Sequence, residues 1–112
     1  MDDREKILRD NFDEYLQSGL KSFDEEKYNS ATTLFFKAIV ALCDLFLLKK
    51  DGRIPSSHSD RFRVIEERYQ EIYKILDRDF PFYQDSYTKK MNKESAELLK
   101  DDIGKIKKIL ER

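Results

Sequence analysis

Arg53 and His58, separated by Ile54-Pro55-Ser56-Ser57, are the residues best equipped for chemistry in this chain. His58 is the sole histidine among 112 residues. An imidazole titrates near neutral pH and suits taking a proton from a ribose 2′-hydroxyl, while a guanidinium fork suits charge developing on phosphorus. Together they form a candidate catalytic pair for metal-free RNA cleavage, doubled if two chains meet about an axis. The competing reading has His58 simply opening a helix and bonding locally. The segment 49–63 sets Lys49, Lys50, Arg53, Arg61 and Arg63 against Asp51 and Asp60, a net +3 in fifteen residues. Lys49, Lys50, Arg61, Arg63, Lys89 and Lys90 are accordingly the candidate phosphate-binding residues. Tyr83 and Tyr87 could stack on bases, although their four-residue step equally fits a helical core.

Other chemistries fall away. One Cys and one His supply neither a zinc site nor a disulfide framework, so no metal and no cofactor is expected. Three glycines leave no Gly-rich phosphate cradle. Glu66-Glu67 and Asp101-Asp102 are adjacent carboxylates, but helical neighbours point about 100° apart, so both pairs read as solvated faces. Cys43 lies in an apolar stretch and reads as a small buried hydrophobe.

The elements that position these residues are helical. With 3 Gly and 2 Pro, a turn-rich β fold is improbable; the length fits a single domain over 1–112. Leu8, Phe12, Tyr15/Leu16, Gly19 and Phe23 mark a first helix from about Asp3 to Phe23, with Gly19 on its inner face, where the missing side chain lets a neighbouring backbone approach closely. Ser22 and Glu25 fit a capping box opening a second helix near Asp24, which Asp51-Gly52 ends. Ser57 and Asp60 open a third, striped by Phe62, Ile65, Tyr69, Ile72, Tyr73 and Leu76, which Phe80-Pro81 breaks. Phe82, Tyr83 and Tyr87 suggest a short fourth helix. Asn92 caps the last, whose inner face is Ala96, Leu99, Ile103, Ile106 and Leu110. The expected architecture is all-α, an up-and-down bundle of four to five helices.

Between Leu34 and Leu48, thirteen of fifteen residues are apolar; Lys37 and Asp44, seven apart, share one narrow stripe. A helix apolar nearly all round requires cover on most sides, either from a second copy, making a homodimer, or from the chain's own helices wrapped around it. Its longest uncharged run, Ala38 to Cys43, is far short of the ~20 residues of a membrane span. The charged N-terminus has no apolar stretch behind it. Together these suggest a cytoplasmic protein with no membrane partner. Residues 1–26 carry a net −5 and residues 89–112 a net +3, so the two ends can also complement each other.

Gly19, Ala31, Phe35 and Ala38 match the small and aromatic spacing of a tetratricopeptide repeat, yet nothing beyond residue 50 repeats it. A helical hairpin with small residues at its crossing is the consistent reading. From Tyr28 onward the chain resembles the HEPN domain family. The resemblance rests on Tyr28 and Ala31 opening a long apolar helix, a basic Gly-containing loop, and Ser57-His58-Ser59-Asp60 opening the next helix. Phe80-Pro81, Asp85-Ser86-Tyr87-Thr88-Lys89-Lys90 and Glu94-Ser95-Ala96-Glu97 follow in order.

That resemblance implies a small helical protein, often the partner of a minimal nucleotidyltransferase in toxin–antitoxin-like pairs. Members that cleave RNA carry an Arg, four to six residues and a His, and act as metal-free dimers. Arg53 and His58 meet the spacing. Ile54-Pro55 departs from the pattern, because active members place a polar residue directly after the Arg. Two functions follow. One is a homodimer binding RNA or nucleotide phosphate around Arg53 and His58 in a steeply salt-dependent way, either as a ribonuclease or without catalysis. The alternative is a non-catalytic interaction module using the apolar second helix.

Overall fold

The computed structural model describes residues 2–112. Five helices follow in order: α1 Asp3–Asp24, α2 Tyr28–Asp51, α3 His58–Arg68, α4 Gln70–Asp85 and α5 Lys93–Leu110. The all-α bundle expected from periodicity is what the chain forms. No strand occurs among the described residues.

α2 is the central rod. It packs along α1 and against α5, and more lightly against α4. Phe35, Phe36, Ala38, Ile39, Cys43 and Leu47 are buried along it. Gly19 of α1 faces Phe35 so closely that an added Cβ would lie 2.8 Å from the ring. The approach that Gly19 permits is therefore that of a side chain, not of the neighbouring backbone expected. By length and composition α2 also passes for a membrane span, a resemblance the run of six uncharged residues conceals. In this fold most of it is buried by the chain's own helices.

Three expected boundaries move. No capping box forms at Ser22–Glu25. α1 continues to Asp24, Glu26 adopts φ 61°, and α2 starts at Tyr28 behind Lys27 without a side-chain cap. The break expected at Phe80-Pro81 falls instead at Tyr69, whose non-helical backbone (φ −138°, ψ 67°) separates α3 from α4. Leaving helical geometry there accompanies edge-on packing of the Tyr69 ring with Phe46 at 4.9 Å. Pro81 lies inside α4, and Phe82 and Tyr83 form its last turns, so no separate short helix exists. Pro81 removes a bond to the carbonyl of Asp77, an exposed residue whose carbonyl can turn to water. The ends of α3 and α5 match expectation: Ser57 accepts from the Asp60 amide and Asn92 from the Ser95 amide.

Candidate functional site

His58 is the first residue of α3, held there by the Ser57 cap and the turn before it. Ile54-Pro55 keeps that turn extended, and Pro55 is buried. One turn along α3, Arg61 points inward. Its Nε and Nη2 donate to Oδ1 and Oδ2 of Asp44 at 2.7 and 2.8 Å, a two-pronged ion pair with both residues under 10 % exposed. The remaining Nη1 donates to Nδ1 of His58 at 3.0 Å. Arginine has no acceptor and stays protonated, so Nδ1 must accept, and a neutral His58 carries its proton on Nε2. Asp44, Arg61 and His58 thus form one chain of charge and hydrogen bonds from the core to the surface.

Aromatic rings surround this histidine. Phe80, Tyr83 and Phe36 lie 5.4, 6.0 and 6.3 Å from its ring, centre to centre. Tyr83 stacks on Phe36 at 4.8 Å, and its hydroxyl bonds that of Tyr87 at 2.9 Å. Tyr87 is 69 % exposed, so only Tyr83 of the two tyrosines is core. Burial, followed by the hydroxyl bond to Tyr87, pushes the Tyr83 phenol up to about 12. Partial burial, the Arg61 charge and Lys37 push the His58 imidazole below its ordinary value, against a weaker pull from Asp44. His58 is therefore neutral at pH 7.

The other candidate residues divide. Arg53 and Arg63 both donate to the Asp60 carboxylate, which also accepts from the Ser56 amide. These bonds hold the Asp60 carboxyl far below the usual carboxylate range. Within the chain Arg53 is thus tied to Asp60, and the arginine bonded to His58 is Arg61. Arg61 is a core residue, where a surface cation was expected. Lys89 bridges to Asp85 at 3.4 Å, and Lys50 lies 5.9 Å from the Phe46 ring. Lys49 and Lys90 are exposed. Lys49 borders a groove with Phe46, apart from the surroundings of His58.

Asn29, which the sequence did not single out, positions the Tyr87–Lys90 segment. Its amide donates to the carbonyls of Ser86 and Lys89 at 3.0 and 2.7 Å, and its Oδ1 accepts from the Met91 amide at 2.9 Å. An Asn one residue into a helix looks like any polar surface position; only the folded chain shows its long-range partners.

One sequence reading of charge is sharpened and another overturned. Asp44 shares its stripe with the partly exposed Lys37, yet it is buried against Arg61. Asp101-Asp102 was read as a solvated pair, yet Asp102 is 0 % exposed and meets Asp79 of α4, also 0 % exposed. Arg78 joins them, with Nη2 on Asp102 at 2.6 Å and Nε on Asp79 at 3.3 Å. Each carboxyl keeps one further buried oxygen with no hydrogen-bond partner, Oδ2 of Asp79 and Oδ1 of Asp102, the latter with the Lys105 ammonium 3.7 Å away. Two buried carboxylates cannot both ionise cheaply. Burial and the Asp102 bond raise Asp79 to about 8, so this pair holds one proton at neutral pH. Cys43 is buried as expected, and burial pushes its thiol up to about 12.

The chain matches no family model, no curated protein and no solved structure. No group of three or more His, Cys, Asp or Glu side chains is placed to hold a metal ion among the described residues.

Proposed function

We propose that this chain is a HEPN-like helical module, working as a homodimer, that binds RNA or a nucleotide phosphate at the His58 end of the bundle without cleaving it. The observation that carries the reading is the Arg61 bond to Nδ1 of His58. It leaves Nε2–H as a hydrogen-bond donor, and Tyr83, whose ring lies 6.0 Å from His58, carries the exposed Tyr87 on its far side at 5.5 Å; a donor and an exposed ring suit a phosphate oxygen and a stacked base. The same bond argues against catalysis. A neutral imidazole whose lone pair is already engaged cannot take the 2′-hydroxyl proton, and its remaining N–H is a poor acid. A minimal nucleotidyltransferase partner and a cytoplasmic setting belong to the same reading.

Fluorescence anisotropy with labelled single-stranded RNA at low salt tests it, with the same mixtures run on a gel. Binding without cleavage is expected, weakened in His58→Ala and Tyr87→Ala. No binding at low salt, or His58→Ala binding as tightly as the native chain, would overturn it.

A second reading, an interaction module without nucleotide chemistry, is favoured by Leu42, Leu45 and Phe46 of α2, which are not fully buried by the chain's own helices. It expects charge reversal at Arg53 to be harmless and Leu45→Asp to disrupt assembly.

A further inference from the structure

We propose that a single proton shared by Asp79 and Asp102 latches the C-terminal half of α4 onto α5, and that its loss loosens the Phe80–Tyr83 wall beside His58. The buried pair thereby makes the His58 end of the bundle sensitive to alkaline pH. As control of ligand binding this rests on the function proposed above; as a movement in the free chain it does not.

The geometry asks for the proton. Asp79 and Asp102 are both 0 % exposed and come from different helices. One guanidinium, that of Arg78, bonds an oxygen of each. The two carboxyls also bond each other, and because carboxylates only accept, one of them must be protonated to donate. Each has one buried oxygen without a hydrogen-bond partner, Oδ2 of Asp79 and Oδ1 of Asp102, and a shared proton is the donor they lack. Without it, two negative charges face each other away from water. Arg78 and Lys105, the cations beside them, have side chains 47 % and 60 % exposed, so solvent weakens what they offset. α2 and α3, which also pack on α4, turn no charge toward Asp79 among the described residues.

α4 carries the consequence to the site. Asp79 directly precedes Phe80 and lies one turn before Tyr83, and these two rings stand 5.4 and 6.0 Å from that of His58. Tyr83 in turn bonds the hydroxyl of the exposed Tyr87. α4 packs far more lightly on α5 than α1 does on α2, so the pair is a large part of what joins the two helices.

His58 reports the movement in the free chain. Its ring is neutral above pH 7 and lysine and tyrosine titrate near about 10, so its carbon-bound ring protons should be silent between those values on their own account. Proton NMR should nevertheless show a step in them with its midpoint at about 8. Asp79→Asn and Asp102→Asn should each abolish the step while leaving the α-amino group, which also titrates near about 8. Circular dichroism checks that both variants keep their helix. Labelled RNA should bind the native chain severalfold more weakly at about pH 9 than at about pH 7, and Asp79→Asn equally at both. A native chain without the step, or a step that survives both substitutions, overturns the latch. A step with RNA affinity unchanged by pH overturns its control of the site. A step with no RNA binding at either pH upholds the latch and overturns only the proposed function.

Discussion

Arg61 Nη1 lies 3.0 Å from Nδ1 of His58 while the other two arms of the same guanidinium grip Asp44. A group at the protein surface is in this way oriented by an ion pair inside it. Breaking that pair by removing one partner leaves a buried charge uncompensated, which costs about 3–5 kcal/mol in comparable sites. Asp44→Ala should lower stability by that order in urea denaturation, and Asp44→Leu/Arg61→Met together should cost much less. In Arg61→Met the His58 pKa, followed by NMR, should rise part of the way to its ordinary value. Partial burial, its largest cause, remains.

The Asp79–Asp102 pair makes stability depend on pH. Asp79 is raised to about 8 in the fold and titrates near 4 when unfolded. The native state therefore binds more protons between those values, and its stability falls as pH rises from about 4 to 8. The contribution is fully present below pH 4, lost through pH 8 and flat above it. Asp79→Asn should remove most of this slope in denaturation curves taken across the range. His58 acts oppositely: its lowered pKa makes stability fall as pH drops below its ordinary value of about 6.5.

Glycine substitutions separate packing from propensity. A Cβ at Gly19 would sit 2.8 Å from the Phe35 ring, whereas at Gly104 it meets nothing within 4 Å. Gly19→Ala should destabilise by about 1–3 kcal/mol, as overpacking does. Gly104→Ala should stabilise by up to about 1 kcal/mol through helix propensity. Thermal or urea unfolding of the two variants shows whether the signs differ.

These cases mark what could be read from the chain itself. The stripes of α1, α2 and α5, the Ser57 and Asn92 caps and the closeness at Gly19 are local or periodic features, and they were legible. The break at Tyr69 was not, because the apolar stripe runs in phase through it and the ring that Tyr69 packs on, Phe46, lies on α2, far away in the sequence. Pro81 misled because local geometry alone does not show whether its missing bond can be replaced. In the site, His58 stood out by its rarity. Its true partner, Arg61, was hidden because a buried arginine and a solvated one look alike until Asp44, seventeen residues away, is placed. The same holds for Asp79 and Asp102, which only the packing of α4 on α5 brings together.

Ion pairing also alters the expected salt response. Arg53, Arg61 and Arg63 are bonded to aspartates and Arg68 to Asp51, and Lys89 to Asp85, so that of the candidate phosphate-binding residues Lys49, Lys50 and Lys90 stand outside an ion pair among the described residues. RNA binding should then fall gently with salt, with a slope of log K against log salt of about −2, as for two or three phosphates on a single strand. A slope several times steeper would mean that these arginines leave their aspartates in the complex.

Because the chain has one histidine, long-range proton–nitrogen NMR of its imidazole reads the central claim without ambiguity. At neutral pH His58 should appear as the neutral form protonated on Nε2, and adding a short oligoribonucleotide should shift the Nε2 resonance while leaving the RNA intact. An imidazolium at neutral pH, a proton on Nδ1, or an Nε2 signal unmoved by saturating RNA would contradict the account.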